Sequence, residues 1–308
     1  MSDSAPNARN RTASVRVPCS TSNLGPGFDL LGLCLSLHLE VGASARPGSG
    51  EVRVTSAPAD WPRTDDLLVR AIRRGLRGAP LDVEVEVASE IPVARGLGSS
   101  GAAVAAGLLL GAALATGADA SDRSHLVGPA VELEGHPDNA VASLLGGCVL
   151  SVATERGWRT LRQPVHASIG FAAAWPRATL ETARARAVLP ASVPFAHAAD
   201  QPRRLAALLE GLREGDAELV AHGTLDHLHV DARLPLVPGA REAFELALEA
   251  GAWSATLSGS GSAVIALGPR ERAAEIARAL GRGIESRQPL EDARELVLVE
   301  DAPRTVVS

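Results

Sequence analysis

Residues 81–89, LDVEVEVAS, alternate apolar and acidic side chains with a period of two, the pattern of a strand with one face in a core and the other in water. The pattern then changes abruptly. Between Arg95 and Asp119 no charged residue occurs, and 102–115 is apolar on every side, which predicts a helix over 101–117 buried all round. Its apolar part falls short of the roughly 20 residues that a bilayer span requires, so it reads as a core helix. The same kind of reading places strands at 14–18, 33–45 and 51–55, and helices at 65–78, 121–134 and 139–145. A hairpin follows, from 148–154 to 158–161. Beyond it come a strand at 168–174, helices near 180–187, 200–213, 215–223 and 238–250, and a closing strand, helix and strand at 262–268, 271–281 and 295–299. This mixture predicts an α+β protein of two domains, 14–160 and 161–308, behind a polar tail at 1–13. Neither a repeat nor a Pro- or Ser-rich linker marks the boundary.

Composition narrows the chemistry. The 308 residues are 46% hydrophobic, enough for a core in each half, and 36 acidic against 30 basic residues give a net charge of −6, without the electrostatic footprint of a nucleic-acid binder. Every basic residue is Arg; Lys and Tyr are absent. That excludes a Walker-A lysine, a protein-kinase strand lysine and a lysine Schiff base, so any phosphate chemistry must use Arg, metal and backbone amides. Cys19, Cys34 and Cys148 are odd in number and far apart, suggesting neither a disulfide framework nor a zinc site. The polar start, MSDSAPNARNRTAS, has no apolar core of a signal peptide, and a cytoplasmic location is the expectation.

Three glycine-rich loops stand out. The first, PCSTSNLGPGFD at 18–29, is either a bare turn or a ligand loop in which Asn23 and Asp29 offer an amide and a carboxylate to an amine or hydroxyl. The second, PVARGLGSSGA at 92–102, lies between a strand and the uncharged helix, an arrangement that aims backbone N–H groups and a helix dipole at an anion. Gly96 and Gly98 would let the backbone wrap phosphate oxygens, and Ser99 or Ser100 could bind phosphate or Mg²⁺; the plainer account is a serine cap on a buried helix. The third, LSGSGSA at 257–263, offers Gly259, Ser260 and Gly261 for close approach. Together they suggest a cleft assembled from both halves. A fourth segment, ELEGHPDN at 132–139, is either a helix junction or a polar knot of Glu132, Glu134, His136, Asp138 and Asn139 able to hold a metal and orient a hydroxyl.

On SNLGPGFDLLG, PVARGLGSSGAA, EGHPDNAVASLLGG and LSGSGSAVIAL the chain resembles the GHMP family of small-molecule kinases over nearly its whole length. NLGPGFD, HPDN before a glycine pair, the Thr182 to Arg186 segment and Arg233 before LPLVPG are similar to its homoserine-phosphorylating branch. The resemblance implies an N-terminal domain like ribosomal protein S5 domain 2, a C-terminal ferredoxin-like α/β sandwich, and phosphorylation of the L-homoserine hydroxyl by ATP with Mg²⁺, a step of threonine biosynthesis. It puts triphosphate on Pro92, Val93, Ala94, Arg95, Gly96, Leu97, Gly98, Ser99, Ser100, Gly101 and Ala102. Homoserine would lie among Asn23, Asp29, His136, Asp138, Thr182, Arg186, Arg233 and Gly259, with the arginines on its carboxylate and acidic groups on its ammonium. Mg²⁺ would sit between Ser100 and a helix carboxylate, Glu134 first and Glu132 second. Asp138 would be base or clamp, with Asn139 orienting the nucleophile. A homodimer is compatible with the resemblance.

The chain departs from the family pattern at Gly101, where alanine is usual, at Ser262, where proline is common, and at Asp66, often Asn near the adenine site. Two other readings compete: a mevalonate-like GHMP kinase, which would want a lysine near the reacting hydroxyl, and a non-catalytic ligand sensor on the same fold.

Overall fold

A long second strand organises the first half of the protein. The computed structural model describes residues 10–62, 66–119 and 122–308. In chain order the first half holds β1 (Arg11–Asn23), β2 (Gly27–Pro47), β3 (Val52–Ser56), α1 (Leu67–Leu76), β4 (Leu81–Ser89), α2 (Ser99–Thr116), α3 (Ser124–Glu134), α4 (Asp138–Leu145), β5 (Cys148–Thr154) and β6 (Gly157–Gln163). The second holds β7 (Ile169–Pro176), α5 (Thr182–Ala187), α6 (Phe195–Glu214), α7 (Ala217–Gly223), α8 (Val230–Arg233), α9 (Ala240–Glu249), β8 (Ser254–Leu257), β9 (Val264–Pro269), α10 (Ala273–Glu285), β10 (Leu290–Leu296) and β11 (Thr305–Val307). The starts of the helices expected at 65–78 and 121–134 lie outside the described residues.

β2 pairs with β1 along its length, with β4 at 39–47, and with β5 at 31–33. The resulting seven-stranded sheet runs β11-β1-β2-β4-β3, with β5 and β6 branching from β2; only β3 and β4 are parallel. A second, antiparallel sheet has the order β10-β7-β9-β8, with α9 and α10 against it.

Most expected elements are present. α2 is long and apolar enough to cross a membrane, yet most of it is buried inside the protein. It packs on β1 and β2 and against α1, α3 and α4, which is what apolar residues on every face demand. Three differences have physical reasons. Loop 18–29 is mostly strand: β1 continues through Asn23, bulged at Pro18/Cys19 and Ser22/Asn23, and only Leu24, Gly25 and Pro26 turn. β1 also starts at Arg11, inside the polar segment, because it pairs with β11 at 13–15. Finally, β10 lies earlier than 295–299. As an edge strand its charged LEDAREL sequence needs no apolar alternation, while the apolar residues after it bridge the two sheets through Leu298 opposite Leu35.

α1 and α2 cross closely through Gly75, Gly107 and Gly111. A Cβ at Gly111 would stand 2.3 Å from the Ile72 carbonyl oxygen. A side chain there has no room, and chemical denaturation reads the cost. Gly111→Ala is expected to lower stability by about 1–3 kcal/mol through overpacking.

Candidate active site

The three glycine loops and the 132–139 segment converge on one cleft, open to solvent. At one end the chain leaves β4 and reaches α2 through Ala94, Gly96 and Gly98, all at positive φ. The turn is clamped from both sides. A Cβ at Gly96 would lie 2.3 Å from the Ser258 carbonyl oxygen, and one at Gly98 2.2 Å from Ser20 Oγ. The Ser258 hydroxyl donates to the Gly96 carbonyl (2.7 Å), the Ala263 amide to that of Arg95 (2.8 Å) and the Ser20 amide to that of Leu97 (3.2 Å). α2 then begins, with Ala102 N–H bonded to the Gly98 carbonyl (2.8 Å), so the amides of residues 99–101 have no partner within the helix. A long helix thus opens its N-terminus on the cleft, a site suited to an anion.

Val93, Ala94, Gly96, Gly98, Ser99 and Ser100 line this end; Pro92, Arg95, Leu97, Gly101 and Ala102 do not. Arg95 turns away, donating to the carbonyls of Val93 (2.6 Å) and Arg177 (2.8 Å) and pairing with Glu291 (2.9 Å), so it fastens the loop to the second sheet. Leu97 and Ala102 are core residues. Gly101 has a packing reason beyond helix propensity, since a Cβ there would stand 2.8 Å from the Ala140 amide nitrogen of α4. Asp66 caps α1 through the Leu68 amide (2.9 Å) and accepts a bond from Trp61 Nε1 (3.1 Å), fixing the indole as a cleft wall. Ser262 lies off the cleft, its hydroxyl on the Ala178 carbonyl (2.7 Å).

At the middle of the cleft, at the start of α4, Asp138 is 3% exposed. Its Oδ1 faces His136 Nδ1 at 2.9 Å and accepts the Asn139 amide at 2.8 Å. Burial by itself would push this carboxyl up, but the His136 bond and charge, the Asn139 amide and the Ser22 hydroxyl outweigh it and hold the pKa below the usual range. His136 responds in the opposite sense. Burial disfavours its charge, yet the bond and charge of Asp138, with Glu134, hold it above the ordinary imidazole value. Asn139 is fixed by two serines of β1, donating from Nδ2 to Ser22 Oγ (2.9 Å) and accepting from Ser20 Oγ at Oδ1 (3.0 Å).

Glu134 and Glu132, two positions apart at the end of α3, point different ways. Glu134 lines the cleft, accepts the Ser100 hydroxyl at Oε1 (2.6 Å), and has a buried Oε2 with no partner. Burial pushes its carboxyl up, against the Ser100 bond and the His136 charge. Glu132 is exposed and pairs with Arg74 of α1 (2.9 Å), so the structure removes it from the candidate metal ligands. A half-satisfied carboxylate beside a serine hydroxyl is an oxygen donor set that fits Mg²⁺, the remaining ligands coming from phosphate and water. Among the described residues no group of three His, Cys, Asp or Glu side chains could hold a metal by itself.

The far end carries the arginines. Arg186 of α5 grips Asp29 with two bonds, Nη1 to Oδ2 at 2.9 Å and Nη2 to Oδ1 at 2.6 Å, and this grip raises its pKa further. Arg233, at the end of α8, is 1% exposed yet lines the cleft. Burial, then the charge of Arg186, pulls its pKa down. Asn23 donates to the Gly259 carbonyl (3.0 Å) and accepts the Asp29 amide (3.0 Å), so it holds two other site residues in place. Gly259 itself contributes its carbonyl, which also accepts from Arg233 Nη1 (3.2 Å). Thr182 is exposed on the rim, 3.4 Å from Ser260 Oγ. Residues the sequence did not single out, Ser20, Ser22, Trp61, Phe28 and His229, complete the walls and supports. Of these Ser20, Ser22 and Phe28, inside PCSTSNLGPGFD, stood in a segment already marked by its glycines.

Residues 66–147 match the family model of the GHMP kinases N terminal domain, and 208–285 that of the GHMP kinases C terminal. A homoserine kinase of Synechococcus sp. (strain CC9311) is 38% identical over 294 residues, covering 91% of this chain and 93% of the relative. The crystal structure of homoserine kinase from Cytophaga hutchinsonii ATCC 33406 superposes with a TM-score of 0.87 at 27% identity, covering 99% of each chain. An L. major mevalonate kinase in complex with R-mevalonate shares the fold, with a TM-score of 0.63 at 13% identity, covering 98% of this chain and 99% of that one. With both halves of the family matched and close likeness along nearly the whole length, this chain belongs to the GHMP kinases, in the branch of the homoserine kinases.

Proposed function

We propose that this chain transfers the γ-phosphoryl group of ATP to the side-chain hydroxyl of L-homoserine, giving ADP and O-phospho-L-homoserine. The observation that carries this reading is that Arg233 and the Arg186–Asp29 pair share one end of a cleft, Asp138 stands at its middle, and the other end is a helix N-terminus wrapped in glycines. A zwitterion fits the first end: guanidinium groups take its carboxylate with parallel charge-assisted bonds, and Asp29 takes its ammonium. Mevalonate has the carboxylate without the ammonium and would leave Asp29 without a partner from the substrate.

The triphosphate lies along the backbone of 94–100, its negative charge met by the open amides of α2, and the indole of Trp61 walls the nucleotide end. Ser100 and Glu134 would hold Mg²⁺, which would supply charge neutralisation at the transferring phosphoryl group. The hydroxyl oxygen attacks the γ-phosphorus, the bond from that phosphorus to the bridging oxygen of ADP breaks, and the hydroxyl proton passes to Asp138. Because its partners hold Asp138 ionised, it is ready to accept at neutral pH but is a weak base. Proton transfer then comes late, and positioning carries most of the rate enhancement. His136 orients Asp138 and shares its charge.

The direct test incubates purified protein with Mg²⁺, ATP and L-homoserine, with R-mevalonate and L-threonine in parallel, and identifies products by mass. Homoserine-dependent phosphoryl transfer is expected; ADP release without it would keep the fold and discard the substrate. Asp138→Asn is expected to lower kcat by roughly 10²–10⁴-fold with the homoserine KM within a few-fold. Near-normal kcat with a raised KM would make Asp138 a substrate clamp instead. In a magnesium titration Glu134→Gln should lose activity on the order of a hundredfold, with an increased Mg²⁺ requirement, while Glu132→Gln stays within about twofold.

A further inference from the structure

Arg233 is held by a residue that the reaction above does not use. Its guanidinium donates from Nε to the Ala185 carbonyl (3.1 Å) and from Nη1 to the Gly259 carbonyl (3.2 Å) and to His229 Nδ1 (3.2 Å), which leaves Nη2 for the cleft. His229 lies one helical turn earlier, just before α8, with its side chain fully buried. Its other ring nitrogen, Nε2, stands 2.9 Å from the Gly25 carbonyl oxygen in the turn between β1 and β2.

These two partners dictate the imidazole's state. A carbonyl only accepts, so Nε2 carries the hydrogen; a guanidinium only donates, so Nδ1 must be bare. A second proton would set an N–H of the ring against an N–H of Arg233. The surroundings are rigid in the same sense. Asp226 Oδ2 accepts the amides of Leu228, His229 and Val230 at 3.0, 2.7 and 2.9 Å, and its Oδ1 accepts Gln201 Nε2 of α6 at 2.8 Å. The Gly25 turn is seated on this segment so closely that a Cβ there would stand 2.0 Å from the Thr224 carbonyl oxygen. The Phe28 ring lies 5.1 Å from the His229 ring, and the guanidinium carbons of Arg186 and Arg233 lie 5.6 and 5.3 Å from the Phe28 centroid.

We propose that His229 is a positioning residue. As a neutral imidazole protonated only on Nε2, it ties the first glycine turn to Arg233 and aims the remaining guanidinium donor at the carboxylate of the bound amino acid. The inference rests on the homoserine reading for its substrate, but not for the hydrogen bonds it invokes. The two nitrogens can be separated chemically, because an asparagine amide reaches the place of Nδ1 and a glutamine amide that of Nε2.

His229→Asn, which keeps an acceptor for Arg233, is expected to hold the homoserine KM within about threefold of the wild-type protein. His229→Gln, which keeps the donor to Gly25 and loses the arginine, should raise that KM about tenfold or more, with kcat and the ATP KM within about twofold. In ¹⁵N-histidine spectra of the wild-type chain, His229 should show a protonated Nε2 and an unprotonated Nδ1. Equal KM values for the two variants, or losses of kcat and ATP affinity that follow their melting temperatures, would overturn the positioning role. A wild-type chain that phosphorylates no homoserine would overturn the reaction instead, and the imidazole assignment then stands or falls on the nitrogen signals: an Nδ1–H tautomer or an imidazolium would end it.

Discussion

Everything in the cleft depends on keeping a carboxylate charged where water is scarce. Asp138 loses its hydration to α4 and β1, and an isolated carboxyl in that position would take up a proton. It stays ionised because partners arrive from three directions: the imidazole of His136, the amide at the start of α4, and β1, whose serines also pin Asn139. The bulge between Ser22 and Asn23 and the short path from α3 to α4 are therefore parts of one electrostatic arrangement. It also explains the opposed shifts of Asp138 and His136, since each stabilises the other's charge.

A second arrangement at the far end works by mutual neutralisation. Asp29 and Arg186 satisfy each other, and under the proposed reading a zwitterionic amino acid would bring one charge of each sign, so its entry would exchange partners without stranding a charge. Arg233 is placed differently. It is buried, its other donors are committed to carbonyls and to an imidazole, and the direction of its free donor is set by the backbone around it. One guanidinium is held by a single carboxylate, and the other is fixed by the backbone and an imidazole.

The fold was legible where a pattern forces a structure. Nine alternating residues made β4, an uncharged run made α2, and glycines between strand and helix marked the end of the cleft where α2 begins. It was less legible where tertiary partners decide. LEDAREL reads as polar surface because an edge strand needs apolar residues on neither face, and the last part of β1, residues 19–23, hid inside a presumed loop because its pairing with β2 is bulged. Glu132 and Glu134 look equivalent in a string of letters, but a helix turns through roughly 200° between them. His229 carried no local signal at all, since its two partners, Gly25 and Arg233, are brought together only by the seating of one half on the other.

The first sheet is completed from the opposite end of the sequence. β11 covers the edge of β1, with Thr12 and Ser308 exchanging backbone bonds of 2.8 and 2.9 Å, and β11 follows every other described element in chain order. During synthesis, β1 therefore emerges long before its neighbour exists. A nascent or prematurely terminated chain carries an open strand edge next to an assembled core, the kind of surface that pairs with a second chain or recruits a chaperone.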